Sequence, residues 1–214
     1  MLWKWKYRLC WRICSAWTKR CGSNLQTDVV IENSGISNVF LKRGKAMTKK
    51  VFEQLKEIVA EQEQMLRFDS FSNEEAWQLG TFLVNKVYEL EMELALSIRK
   101  VSGAIIFQHE TDGTNALNDK WMYRKFNTVC LNEQSSFGAW VDANLKDEDI
   151  HVHGLDPKEY VFIGGGFPIR LKTGEVVAVL IASALPHQMD HQFVVDGLAE
   201  YLDLQNVPSV LPLF

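Results

Sequence analysis

The stretch Gly164-Gly165-Gly166-Phe167-Pro168-Ile169, running on through Thr173-Gly174 and Val176-Val177-Ala178-Val179-Leu180-Ile181 to Pro186 and Asp190-His191, decides the fold. Its glycines mark a turn, and the residues after them predict strands over 167–171 and 176–183, joined at Thr173-Gly174. Residues 176–181 are apolar at both alternating positions, as in a strand covered on both faces. Pro186 breaks that strand. Phe193, Val194, Leu198 and Tyr201 then recur at helical spacing and predict a helix over 187–202. The central strand of the sheet, and any small-molecule pocket, are expected here.

Upstream of this stretch the same periodicities alternate. Val51, Leu55, Ile58, Val59 and Met65 predict a helix from Thr48. Phe68 and Phe71 flank a short extended piece, and Ser72-Asn73-Glu74-Glu75 has the spacing of a capping box. The helix it opens buries Ala76, Leu79, Leu83, Val84 and Val87, with Gly80 expected where another backbone comes close. Residues 93–101 and 104–109 around Ser102-Gly103 form a hairpin signal. Asn118 or Asp119 is expected to cap a helix that turns Trp121, Met122, Phe126 and Val129 inward and projects Arg124 and Lys125 together elsewhere. A shorter helical piece holds Phe137, Trp140 and Val141, and a further strand is expected over 160–163. The sum is an α+β domain over residues 47–205, with about five mainly antiparallel strands flanked by helices. Residues 206–214 form an apolar tail with two prolines, expected to dock as an extended strap, on another subunit among the alternatives.

Charge divides the 214 residues sharply. Residues 1–46 carry nine Lys/Arg against Asp28 and Glu32, a balance of +7, whereas the rest carries 14 basic and 25 acidic side chains, a balance of −11. An acidic body lacks the basic patch that phosphate contacts require, which argues against nucleic acid as a partner. Cys10, Cys14 and Cys21 lie in the basic arm and only Cys130 in the body, so no disulfide framework staples the domain, and a cytoplasmic location is expected. No run reaches the roughly 18 apolar residues of a membrane span. The arm itself, with Trp3, Tyr7, Trp11 and Trp17 on one helical stripe, has the pattern of an interfacial helix. Its expected status is nevertheless that residues 1–46 are unstructured or no part of the working protein.

Several blocks in this order carry a resemblance: Phe68-x-x-Phe71 with Ala76-Trp77-x-Leu79-Gly80, Ser97-Ile98-Arg99, and Asn118-Asp119-x-Trp121-x-x-Arg124-Lys125. Gly164-Gly165-Gly166-Phe167-Pro168-Ile169 and Ser183-Ala184-Leu185-Pro186-x-x-x-Asp190-His191 complete the set. In these residues the chain resembles the haem-degrading-domain family of HbpS- and GlcG-like proteins, and most of all an uncharacterised branch of it in bacteria and fungi. The resemblance implies a five-stranded antiparallel sheet with profilin- or PAS-like layering, assembly into homo-oligomers, and binding of haem or another small molecule. Many relatives have a histidine just before the glycine run, where this chain has Ile163, so no role passes to that position.

The candidate ligand-binding residues are Gly164, Gly165, Gly166, Pro168, Arg99, Trp121, Arg124, Lys125, Asp190 and His191. The glycines could let backbone approach a ligand, or they could simply form a tight turn between strands. A strand follows them where a dinucleotide fingerprint requires a helix. The three cations could gather round a carboxylate or phosphate, or pair with acids of the body. His187 and His191 stand four apart on a helix, spacing that suits a metal, with Asp190 behind them; the alternative is that Asp190 and His187 cap the helix and His191 packs on the sheet. For haem, His109, His151, His153, His187 and His191 are all candidate axial ligands, and no covalent attachment motif is present. The expected function is a cytoplasmic, oligomeric small-molecule-binding protein, with haem as the ligand implied by the resemblance. The alternatives are a non-catalytic oligomeric scaffold acting through partner proteins and, more remotely, a metal-dependent hydrolase at His187 and His191.

Overall fold

The structure, a computed structural model, describes residues 47–214. The readings that fall on residues 1–46 lie outside it. The first helix, α1 (Lys49–Met65), buries Phe52, Leu55, Val59 and Gln62, a single stripe at spacings of three and four. Val51, Ile58 and Met65 sit at the margin of that stripe. A two-residue strand, β1 (Arg67–Phe68), follows at once. Next, α2 (Asn73–Glu89) opens with the expected capping box: Ser72 N–H donates to Glu75 Oε2 at 2.6 Å, and Glu75 N–H donates to Ser72 Oγ at 3.1 Å.

The hairpin of β2 (Ala95–Lys100) and β3 (Ile105–Glu110) forms as its turn residues predict. Two corrections concern the helices around it. A Cβ on Gly80 would meet the Phe107 ring at 2.4 Å, so it is an aromatic side chain of β3, and no backbone, that fills the notch. The cap of α3 (Ala116–Asn132) is Asn115, with Asn118 as its reciprocal partner three residues on, so neither Asn118 nor Asp119 stands at the cap.

After α4 (Ser136–Lys146) the chain reaches β4 (Gly166–Leu171), β5 (Val176–Ser183) and α5 (His187–Tyr201). The five strands order as β1-β4-β5-β2-β3, so β5 is central. Every pairing is antiparallel except that of β1 with β4, which makes the sheet mixed. Strand β5 is apolar up to its last residue, Ser183, and packs against both α3 and α5. Val179 and Ile181 join Ala95, Met122, Phe126 and Val129 beneath α3. Strand β2 has α2 on its far side.

The strand expected over 160–163 does not form. Side chains of α3 take up that backbone instead: Asn127 Nδ2 donates to Glu159 O at 2.8 Å, Arg124 Nε to Tyr160 O at 3.3 Å, and Val161 N–H donates to Thr128 Oγ1 at 3.1 Å. With its groups satisfied by a helix, the segment has no need of a sheet partner. The tail docks on its own chain. Gln62 Nε2 donates to Pro208 O at 2.8 Å, Val210 N–H donates to Gln192 Oε1 at 2.9 Å, and buried Val210 joins the cluster between α1 and α4. It ends in a 3-10 turn over Leu211–Leu213 rather than as an extended strap. Among the described residues, no helix is long and apolar enough to cross a membrane.

Candidate functional site

The glycine run brings three layers together. Gly165 adopts φ +119°, a conformation that L side chains rarely take, and a Cβ there would lie 2.4 Å from Ala182 O and 2.6 Å from Lys125 Nζ. A Cβ on Gly164 would strike His187 O at 2.3 Å, and one on Gly166 would press on Val129 at 2.9 Å. The space above each glycine is therefore filled by the protein itself. Pro168 is buried within β4, paired in register with Val179.

Around the run lies an ion pair. Lys125 points into the interior, against the expectation that it projects with Arg124 away from the inward face. Residues 122, 125, 126 and 129 share the helical face turned to the sheet, so position 125 has no route to solvent. Lys125 Nζ donates to Asp190 Oδ2 at 2.7 Å and to Ala182 O at 2.8 Å, and Asp190 Oδ1 accepts from Leu185 N–H at 3.0 Å. Both side chains are about as buried as any in the protein, at 2% and 3% exposed. Burial pushes the Asp190 carboxyl up to about 6, against the opposing pull of the Lys125 ammonium. The pair ties α3 to α5 across the end of β5. Asp190 thus satisfies the loop before α5 rather than capping it: the cap position is Pro186, and neither Asp190 nor His187 makes a capping bond there.

His191 lies beneath them, fully buried, stacked on Phe137 with ring centroids 4.5 Å apart and with Nε2 2.8 Å from Gln62 Oε1. Its Nδ1 has no hydrogen-bond partner. Burial drives its pKa down to about 3, so the ring is neutral. His187 packs between Phe137 and Trp140, its Nδ1 3.4 Å from Gly164 N, and burial lowers it to about 4. The two histidines thus share the Phe137 ring but make their hydrogen bonds to separate partners. Among the described residues, no group of three or more His, Cys, Asp or Glu could hold a metal ion.

Arg99 stands apart from the other two cations. It extends from β2 to Asp119 at the start of α3, 3.1 Å away, and its Nε donates to Ser97 Oγ. The three cations do not gather round one point. Arg124 and Trp121 do come together: the guanidinium lies 4.4 Å from the Trp121 ring, a cation–π contact, and Arg124 lines an open cleft of about 260 Å3. Trp140, Tyr160, Phe162 and Glu148 line that cleft with Arg124. His153 stands at its edge, 5.8 Å from the Phe162 ring and 3.2 Å from Glu148 Oε2, and is well exposed. His151 is exposed in the same loop, and His109 lies on the far strand β3 beside Tyr88 OH, 3.1 Å away.

Of the predicted residues, the structure brings Gly164–Gly166, Lys125, Asp190, His187 and His191 into one buried cluster, and sets Arg124, with Trp121 against it, on the wall of an accessible cleft. Tyr160, Phe162 and Trp140 were not singled out for that cleft. Reading 160–163 as a strand hid the first two, and Trp140 read as core. The cleft offers a tetrapyrrole a guanidinium for a carboxylate and rings for a planar face, with the His153 imidazole beside Phe162 and Glu148, while Glu148 and Asp149 add negative charge to its wall. Its volume lies below the roughly 300–1,000 Å3 of pockets that engulf a small molecule, so a macrocycle would lie across it with an edge outside.

Comparison with known proteins places the chain among relatives. The family model described as "Haem degrading protein HbpS-like" matches residues 71–199. A UPF0303 protein of Brucella anthropi is 32% identical over 155 residues, covering 72% of this chain and 91% of the relative. A UPF0303 protein of Yersinia enterocolitica is 31% identical over 141 residues, covering 65% and 83%. Among solved structures, that of the Ybr137w protein superposes with a TM-score of 0.66 at 27% identity, over 74% of this chain and 96% of that one. HbpS gives 0.50 at 17% identity over 64% and 92%. A PduOC:haem complex gives 0.52 at 14% identity over 61% and 94%, likeness enough for the fold alone.

Proposed function

The chain belongs to the HbpS-like haem-degrading-protein family, and from that premise we propose that it is a cytoplasmic small-molecule-binding protein whose ligand is planar, aromatic and anionic, with haem as the leading candidate. The observation that carries this is the open cleft in which Arg124, stacked on Trp121, faces Tyr160, Phe162 and Trp140. Rings of this kind hold a flat ligand by stacking, and the guanidinium pairs with a carboxylate on its edge. His153 supplies an accessible imidazole at the rim, whereas the interior His187 and His191 are held by their neighbours. Bound haem would supply iron-centred chemistry, and the description of the matching family as haem-degrading supports that ligand class. The binding unit is the domain over residues 47–205, with 1–46 outside it.

Titration of the purified full chain with haemin tests the proposal. A saturable Soret shift is expected, weakened about tenfold or more by Arg124→Ala and altered in position by His153→Ala, the change that distinguishes ligation from stacking. No saturable shift in the unaltered chain, oxidised or reduced, rejects haem.

A second reading, an oligomeric scaffold, is favoured by one specific feature. Strand β3 is an edge, and Ile105 and Trp77 beside it are 53% and 61% exposed. On this reading copies of the chain join along that edge. Native mass spectrometry is expected to give an assembly that Ile105→Lys dissociates.

A further inference from the structure

A second cleft, of about 280 Å3, opens on the other side of α4, between α1, α4 and the β1–β4 edge, and two arginines line it. Arg67 and Arg170 are direct register partners on the parallel strands β1 and β4, so their side chains leave the sheet on the same face. The β4–β5 register slips between Ile169 and Arg170, and a bulge of this sort re-aims the side chain that follows buried Ile169. Like charges directly opposite one another on neighbouring strands are destabilising unless something neutralises them.

Glu63 does so in part: both arginines pull on its carboxylate, yet it forms an ion-pair contact with neither guanidinium. Arg67 Nε donates to Glu63 O at 3.4 Å and its Nη2 to Gln64 Oε1 at 2.6 Å. Arg170 Nη1 donates to Gly174 O at 2.6 Å, and its Nη2 donates to Glu133 O. All four acceptors are neutral, and no described carboxylate forms an ion pair with either guanidinium. The two carboxylates that line the cleft make their hydrogen bonds elsewhere, so Glu63 leaves the pair with one negative charge at a distance against two positive ones. Glu63 Oε1 accepts from Ser135 N–H at 2.7 Å at the start of α4, and Asp142 accepts from Lys56 Nζ at 2.7 Å and from Gln134 Nε2 at 3.3 Å. The neutral bonds fix the planes of both guanidinium groups and use two of the five N–H donors on each. Oriented charge with donors to spare is what recognises a planar or tetrahedral oxyanion in bidentate fashion.

The geometry points to a binding site for a small oxyanion, a carboxylate or a phosphate monoester, held between the guanidinium groups of Arg67 and Arg170. The volume of the cleft suits a ligand of a few heavy atoms, and no aromatic side chain lines it to stack on a flat macrocycle. The site lies apart from the aromatic cleft proposed for the flat ligand, and the two stand or fall separately.

Isothermal titration calorimetry of the full chain with malonate, glycerol 3-phosphate and inorganic phosphate tests it, at constant ionic strength set with chloride. A saturable heat is expected with malonate or with the phosphates, and which one answers identifies the anion class. Arg67→Gln and Arg170→Gln each weaken it about tenfold or more, and Arg67→Lys, which keeps the charge and loses the fork, weakens it too. Lys172→Gln removes a positive charge from the neighbouring turn and is expected to change affinity by less than about twofold. Circular dichroism confirms that each variant folds. The site is overturned if no probe gives a saturable heat below about 10 mM, or if the folded Arg67→Gln and Arg67→Lys variants bind as the unaltered chain does. The haemin titration reads a different cleft, so failure here leaves that result untouched.

Discussion

Inside a protein, an ammonium and a carboxylate 2.7 Å apart attract strongly, yet each has given up water to be there. For Lys125 and Asp190 the balance shows in the carboxyl, which burial raises to about 6 even with the lysine beside it. Lys125→Met removes the cation and leaves the acid stranded. The expected loss is about 3–5 kcal/mol, because an unpaired buried charge costs far more than a pair contributes. Lys125→Met with Asp190→Asn should recover much of that loss, since the amide still accepts from Leu185 N–H. Urea unfolding of both variants checks this, and a double variant no more stable than the single one would refute the account. At this scale the sequence was partly legible. Gly165 and Asp190 stood out, but nothing in the spacing said that Lys125 faces Asp190, because the two are 65 positions apart. Lysine also ordinarily belongs to the surface.

Among the elements, α2 shows how packing overrides propensity. Gly80→Ala would gain about 1 kcal/mol of helix propensity. Its methyl, however, would sit 2.4–2.5 Å from three carbons of the Phe107 ring, which Trp77 flanks at 6.0 Å. Overpacking of that severity costs about 1–3 kcal/mol and outweighs the gain. A melting temperature lower by about 2–4 °C is expected, and a higher one would mean that Phe107 moves aside freely. The helices were legible because their signals are local: the apolar stripe of α1, the capping box of α2, the proline before α5. What failed was what depends on partners. Residues 160–163 have a strand's composition, but the side chains of α3 claim their backbone first.

For the molecule as a whole, the buried ionisable groups set its response to acid. His187 is held down at about 4 in the folded state, so between that value and its ordinary 6.5 the unfolded chain takes up a proton that the folded chain refuses. Its contribution is full above 6.5 and is lost as pH falls towards 4. His191, at about 3, acts in the same sense over a wider window. Asp190, raised, acts in the opposite sense and loses its contribution as pH rises through about 6; Glu63, raised by burial, acts in the same direction as Asp190. His187→Phe keeps a ring against Phe137 and Trp140 and removes one proton from this balance. Between pH 6.5 and 4 the stability of the variant should fall less steeply with acid than that of the unaltered chain, by about 1.4 kcal/mol per pH unit. Urea midpoints measured across that range check it, and parallel curves would refute it.

By itself the sequence determined the α+β class, the central place of residues 176–183 and the family, because periodicity, turns and caps act over a few residues. Tertiary structure alone decided that the glycine run is packed shut around Lys125 and Asp190, that Arg124 opens onto a cleft, and that Arg67 meets Arg170. Each of these depends on which distant side chains the sheet order brings face to face, and a linear spacing carries no trace of that.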